Sequence, residues 1–166
     1  MRKLISPTFI RAIPKTDIHL HLDGSLRIQT LIELAREKKV PLPSGTEAGL
    51  RELVYKETYA GLPDYLRGFA YTVAVMQDPE SIERIAYELA VDNLEEGVRY
   101  IEVRYAPQLH IHGNFTAEEV VAAACRGLER AKKEHNAREA VTGGRDIPFE
   151  YGVILCALRF FTAEMS

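Results

Sequence analysis

Two histidines separated by a single residue, His19 and His21, are the first side chains in this sequence whose types and spacing could do chemistry. They lie in Lys-Thr-Asp-Ile-His-Leu-His-Leu-Asp-Gly-Ser, residues 15–25, where Ile18, Leu20 and Leu22 alternate with Asp17, His19 and His21 until Gly24 breaks the pattern. Alternation of period two is the mark of a strand. Positions i and i+2 of a strand share a face with Cα atoms roughly 6.5 to 7 Å apart, so two imidazoles can converge on one cation at nitrogen–metal distances of about 2.0 to 2.1 Å. Neutral imidazole suits zinc and other borderline metals. Chance also produces His-x-His, and the case for a ligand pair comes from its surroundings. The pair faces away from Ile18, Leu20 and Leu22, sits at the C-terminal end of its strand, and is followed by Asp23 and a glycine turn. That end of the strands is where α/β sheets and barrels place chemistry.

The elements that must position the pair follow in order. Leu26, Thr30, Leu31, Leu34 and Ala35 recur at helical spacing, with Ser25 as the expected N-cap and Pro41 and Pro43 beyond the end near Val40. Residues 41–63 read as a connection with one short helix, and 63–77 as an aromatic helix carrying Tyr65, Phe69 and Tyr71, whose rings suit core packing or a wall over a site. Asp78-Pro79 starts a helix whose stripe of Ile82, Ile85, Ala86, Leu89, Ala90 and Leu94 runs to Gly97. A strand over Val98–Tyr105 should turn Ile101, Val103 and Tyr105 to one face and Tyr100, Glu102 and Arg104 to the other, with an ion pair between Glu102 and Arg104 expected before direct catalysis. A second His-x-His, His110 and His112, falls in an expected surface loop where period-two geometry does not hold. Thr116 and Glu119 form a capping box, with a staple of Phe115 on Val120, for a helix running through Val121, Ala124, Cys125, Leu128 and Ala131. A polar loop over 136–148 precedes an apolar strand over 149–158, expected to be buried on both faces, and the chain stops inside what reads as the next helix. The pattern is α/β, with consecutive strands joined by helices into a parallel sheet.

The 166 residues are 46% hydrophobic and 27% charged with a net charge of −3, which describes a globular protein without the basic excess of a nucleic-acid binder. No run reaches the roughly eighteen apolar residues of a membrane span, and Pro7, Arg11 and Pro14 interrupt any signal-peptide core. Cys125 and Cys156 read as buried free thiols of a reducing compartment, which places the protein in the cytoplasm.

Four segments carry a family resemblance. Thr16 to Ser25 resembles the first-strand signature of the adenosine deaminase family, within the amidohydrolase superfamily of metal-dependent (β/α)8 barrels. Leu62-Pro63-Asp64-Tyr65-Leu66-Arg67-Gly68-Phe69 resembles the family's substrate-gating helix, Glu96 to Pro107 its second strand, and Gly152 to Arg159 its third. A full barrel takes roughly 250 residues, so the resemblance implies the first three strands of a TIM-type barrel with a helical insert, the N-terminal part of one deaminase domain.

The chemistry so implied is one zinc ion that lowers the pKa of a water towards neutrality for attack on C6 of the adenine ring of adenosine or its deoxy form, giving inosine or deoxyinosine and ammonia. The resemblance makes His19 and His21 metal ligands, Asp23 the partner of the ribose 5′-hydroxyl, and Leu62, Tyr65 and Phe69 an apolar wall over the purine. Asp23 as a simple helix-start residue is the alternative, and Tyr65 stands where the best-known members carry phenylalanine. Related adenine and aminofutalosine deaminases tend to carry His-x-Glu-Gly where this chain has His21-Leu22-Asp23-Gly24. The other zinc nucleobase deaminases use His-x-Glu with Pro-Cys-x-x-Cys, which this sequence lacks. No catalytic residue is assigned within the chain. The remaining ligands, a histidine and an aspartate, and a proton-donating glutamate with a further histidine are expected beyond Ser166. Two histidines seldom hold catalytic zinc without a third protein ligand, so the chain alone is expected to be inactive, as a fragment or a truncated reading frame. The competing readings are another purine or amidohydrolase-type deaminase, a complementing half, and a non-catalytic fragment that associates through its open sheet edge.

Overall fold

The computed structural model describes residues 5–158. A short helix α1 (Pro7–Ala12) leads into β1 (Lys15–His21), a single 3-10 turn (Leu22–Gly24), α2 (Ile28–Lys38), α3 (Glu47–Leu53), α4 (Leu62–Val75), α5 (Pro79–Glu95) and β2 (Val98–Tyr105). After a 3-10 turn over Pro107–Leu109 come α6 (Ala117–Asn136), α7 (Glu139–Thr142) and β3 (Glu150–Leu155). The strands form one parallel sheet in the order β1-β2-β3. This is the expected α/β arrangement: three successive strands of a TIM-type barrel, with α3 and α4 inserted between α2 and α5.

Local signals account for most boundaries. Asp78 caps α5 by accepting from the Ser81 N–H at 2.9 Å. Gly97 ends the same stretch at φ +85°, a conformation that costs a glycine little. Both halves of the capping box on α6 form, Glu119 N–H to Thr116 Oγ1 and Thr116 N–H to Glu119 Oε2. Ile101, Val103 and Tyr105 are buried as the alternation requires, in one core with Ile82, Ile85 and Leu89 of α5 and Val120, Ala124 and Leu128 of α6. Asn136 at the end of α6 brackets the backbone of Phe149, accepting from its N–H at 2.7 Å and donating to its carbonyl at 3.1 Å.

The structure departs from the sequence reading where long-range contacts decide. The apolar alternation of β1 fails at Ile18, which is 59% exposed, because β1 spends three residues from Asp17 to Leu20 while β2 spends two from Ile101 to Val103. Leu22 leaves the strand and is buried in the 3-10 turn. Ser25 is not the cap of α2: its hydroxyl donates to the His21 carbonyl at 2.6 Å, and Arg27 occupies the cap position without a side-chain bond. Glu102 and Arg104 do not pair. Glu102 accepts from the Tyr100 hydroxyl and Arg104 donates to the Ile18 carbonyl. The expected loop over 136–148 contains α7. β3 is shorter than expected and only half covered, with Ile154 and Leu155 exposed, since the sheet ends there among the described residues. Arg159 and the helix expected after it lie outside the described residues.

Candidate active site

The end of β1 presents both imidazoles to one side. The His19 and His21 ring centroids lie 5.3 Å apart with planes tilted by 41°, and both residues are exposed. Two facing imidazoles supply two nitrogen donors, a set that fits part of a zinc site. Among the described residues, no group of three or more His, Cys, Asp or Glu side chains gathers closely enough to hold a metal ion.

Two residues on, the 3-10 turn folds Asp23 inward. Its side chain is only 9% exposed, and Oδ1 has no hydrogen-bond partner among the described residues. His21 Nδ1 stands 3.9 Å from that oxygen, beyond hydrogen-bond length. Burial pushes the Asp23 carboxyl above its ordinary pKa, with His21 and the residue's own backbone N–H acting in the opposite direction. A buried acceptor without a donor is costly, and an incoming hydroxyl is the kind of group that would satisfy it.

Asp23 lines a recess of roughly 60 Å³ together with Gly24, Val54, Tyr55, Tyr59, Tyr65, Gly68, Phe69 and Thr72. Whole small-molecule sites occupy about 300 to 1,000 Å³, so the recess admits one small group of a ligand or a few waters. Gly24 lets α4 come close: a Cβ built there would sit 3.1 Å from the Phe69 ring. From the imidazoles an aromatic chain runs outward, with His21 edge-on to Phe69 at 6.5 Å, Phe69 to Tyr65 at 5.5 Å and Tyr65 to Tyr59 at 5.1 Å.

Of the residues singled out from sequence, the structure therefore brings together His19, His21, Asp23, Tyr65 and Phe69. Leu62 is not among the residues lining the recess; it is the first residue of α4 and is 66% exposed. Tyr55 and Tyr59 were missed. They lie between α3 and α4, where sequence reads a connection with one short helix, and their one signal was an aromatic spacing of four, Tyr55 to Tyr59, matched by Tyr65 to Phe69. Burial pushes the Tyr55 hydroxyl up to about 12, and that hydroxyl has no hydrogen-bond partner among the described residues.

The second His-x-His is split between the core and the surface. Far from lying on the surface, His110 is fully buried and its Nδ1–H donates to the Met76 carbonyl at 2.9 Å, while His112 is exposed and stacks edge-on with Phe115. Burial also depresses the His110 pKa. Cys125 and Cys156 are free thiols, each partly buried. Among the described residues, no helix is long and apolar enough to cross a membrane.

The chain is 36% identical over 165 residues to a probable adenosine deaminase of Dictyostelium discoideum, covering 99% of this chain and 20% of that protein. It is 40% identical over 125 residues to the adenosine deaminase of Vibrio atlanticus, covering 75% of this chain and 38% of that protein. The chain thus spans well under half the length of these relatives. Among solved structures, an Arabidopsis N6-mAMP deaminase superposes with a TM-score of 0.71 at 25% identity, covering 95% of this chain and 45% of its own. A Burkholderia amidohydrolase with bound Zn shares the fold at a TM-score of 0.62 and 18% identity, over 99% of this chain and 51% of its own. The family model for adenosine deaminase matches residues 14–166, from the approach to β1 through all three strands, and the chain belongs to the adenosine deaminase family.

Proposed function

We propose that the protein to which this chain contributes its N-terminal barrel strands deaminates adenosine and deoxyadenosine by hydrolysis, releasing inosine or deoxyinosine and ammonia. One zinc ion, held in part by His19 and His21, would supply Lewis-acid activation of the attacking water. Asp23 would accept a hydrogen bond from the ribose 5′-hydroxyl, fixing the nucleoside at the end remote from the purine. Phe69 and Tyr65 would wall the site against water, with Leu62 at the exposed start of the same helix. The observation that carries the reading is the buried Oδ1 of Asp23, without a hydrogen-bond partner among the described residues, just beyond two adjacent imidazoles and beside an aromatic helix. The two free thiols support a reducing compartment, the cytoplasm. The site is built for a small purine nucleoside, with nucleic acid and membrane outside its reach.

A neutral hydroxyl satisfies Asp23, whereas a phosphate dianion would set like charges together in a poorly solvated recess. The test is turnover of adenosine, deoxyadenosine, adenine and AMP by the zinc-loaded complete protein, followed by the ultraviolet change from adenosine to inosine. Nucleosides are the expected substrates, chelation should abolish turnover, and zinc should restore it. Preference for AMP or for the free base would overturn the assignment. The 166-residue chain assayed by itself is expected to yield no inosine.

A further inference from the structure

β1 carries one residue more than β2 between Asp17 and Leu20. Strand register passes from Asp17 opposite Ile101 to Leu20 opposite Val103, so Ile18 and His19 together face a single position of β2. A bulge of this kind bends a strand and re-aims the side chains beyond it, and bulges are common beside active sites. Two side chains close this one. Arg104 Nη2 donates to the Ile18 carbonyl at 2.8 Å from a position 86 residues away in sequence. Asp17 Oδ1 accepts from the His19 N–H at 3.1 Å. Arg104 also stands opposite His21 in the parallel register, so the guanidinium and both imidazoles belong to one side of the sheet. Without the Arg104 donor, the bulge would lose a side-chain bond that ties it to the neighbouring strand.

We propose that Arg104 is a positioning residue for the imidazole pair: by holding the Ile18 carbonyl, with Asp17 holding His19 from the other side, it fixes the bulge that sets the two rings 5.3 Å apart. The inference rests on the metal-ligand reading of His19 and His21, and its test separates the two. In the metal-free chain, nuclear Overhauser contacts between the His19 and His21 ring protons report ring proximity without any metal. Zinc affinity of the complete protein, by competition with a chelator, reports the consequence. Arg104→Met, which keeps the apolar stem and removes the donor, should abolish the ring contacts and weaken zinc binding 10- to 100-fold, the range typical for loss of a group that orients a ligand. Arg104→Lys, which keeps a donor, should recover part of both. Arg27→Gln, which breaks the remote ion pair with Asp92, should change neither. Ring contacts retained in Arg104→Met, or zinc affinity within twofold of the parent, would overturn the proposal. If the methionine variant does not fold, Asp17→Ala removes the other bond and is judged by the same two readouts. A parent protein that binds no zinc would sink the metal reading, while the ring contacts would still decide the role of Arg104.

Discussion

At the scale of the residue, the site is governed by one carboxylate kept out of water. Burial holds the folded-state pKa of Asp23 above its unfolded value, so the folded chain binds that proton more tightly than the unfolded chain does. The stability this contributes is complete below the unfolded pKa and is lost as the pH rises through the folded one. At neutral pH the charged Asp23 is therefore a burden on the fold. Asp23→Asn, which keeps the shape and removes the buried charge, should raise stability near neutrality and weaken nucleoside binding at the same time. Thermal unfolding across pH checks the sign: the gap between variant and parent should close on acidification. A gap that widens instead would mean Asp23 is stabilised as the anion. That His19 and His21 share one side of a strand was legible because strand period is a local fact, whereas Asp23 was singled out through the family resemblance. Tyr55 and Tyr59 were not legible, since only the packing of α4 onto the turn at Gly24 brings them to the recess.

At the scale of the element, α5 and α6 pack directly against one another beside the sheet. Gly127 of α6 lies so close to α5 that a Cβ there would sit 2.2 Å from the Glu83 carbonyl oxygen and 2.8 Å from the Tyr87 nitrogen. Arg130 stacks over the Tyr87 ring at 3.6 Å beside the same crossing. Gly127→Ala must push the helices apart, at a cost of about 1 to 3 kcal/mol for an overpacked contact. A fall in the urea midpoint with an unchanged slope would record it; an unchanged midpoint would show that the crossing is loose. The starts of α5 and α6 were legible because Asp78-Pro79 and the Thr116/Glu119 box are complete within four residues, whereas the Ser25 cap expected for α2 failed. Gly127 gave no such signal, as a glycine inside an apolar helical stripe says nothing of what crosses it. The bulge in β1 was illegible for the same reason: its closing bond comes from Arg104, on another strand.

At the scale of the molecule, the sheet is unfinished on the side of β3. Among the described residues β3 pairs with β2 alone, and Ile154 and Leu155 are 37% and 53% exposed. An apolar strand with an open edge is a template for further pairing. The 166-residue chain should associate as its concentration rises, measured by light scattering on a sizing column, and Ile154→Lys should suppress this. A parent chain that stays monomeric at high concentration would remove the open edge as an interaction surface. The expectation of a strand buried on both faces came from apolar composition, which is written for the covered state and cannot say what does the covering.

β1 is the opposite border of that sheet, joined to β2 alone among the described residues, and it is the strand that carries the imidazoles. Marginal strands are where local opening is cheapest. A cation gripped by both rings would act as a clasp on that hem, slowing amide exchange around residues 18–21 ahead of the interior, so that occupancy and order at the rim of the sheet become one measurable event.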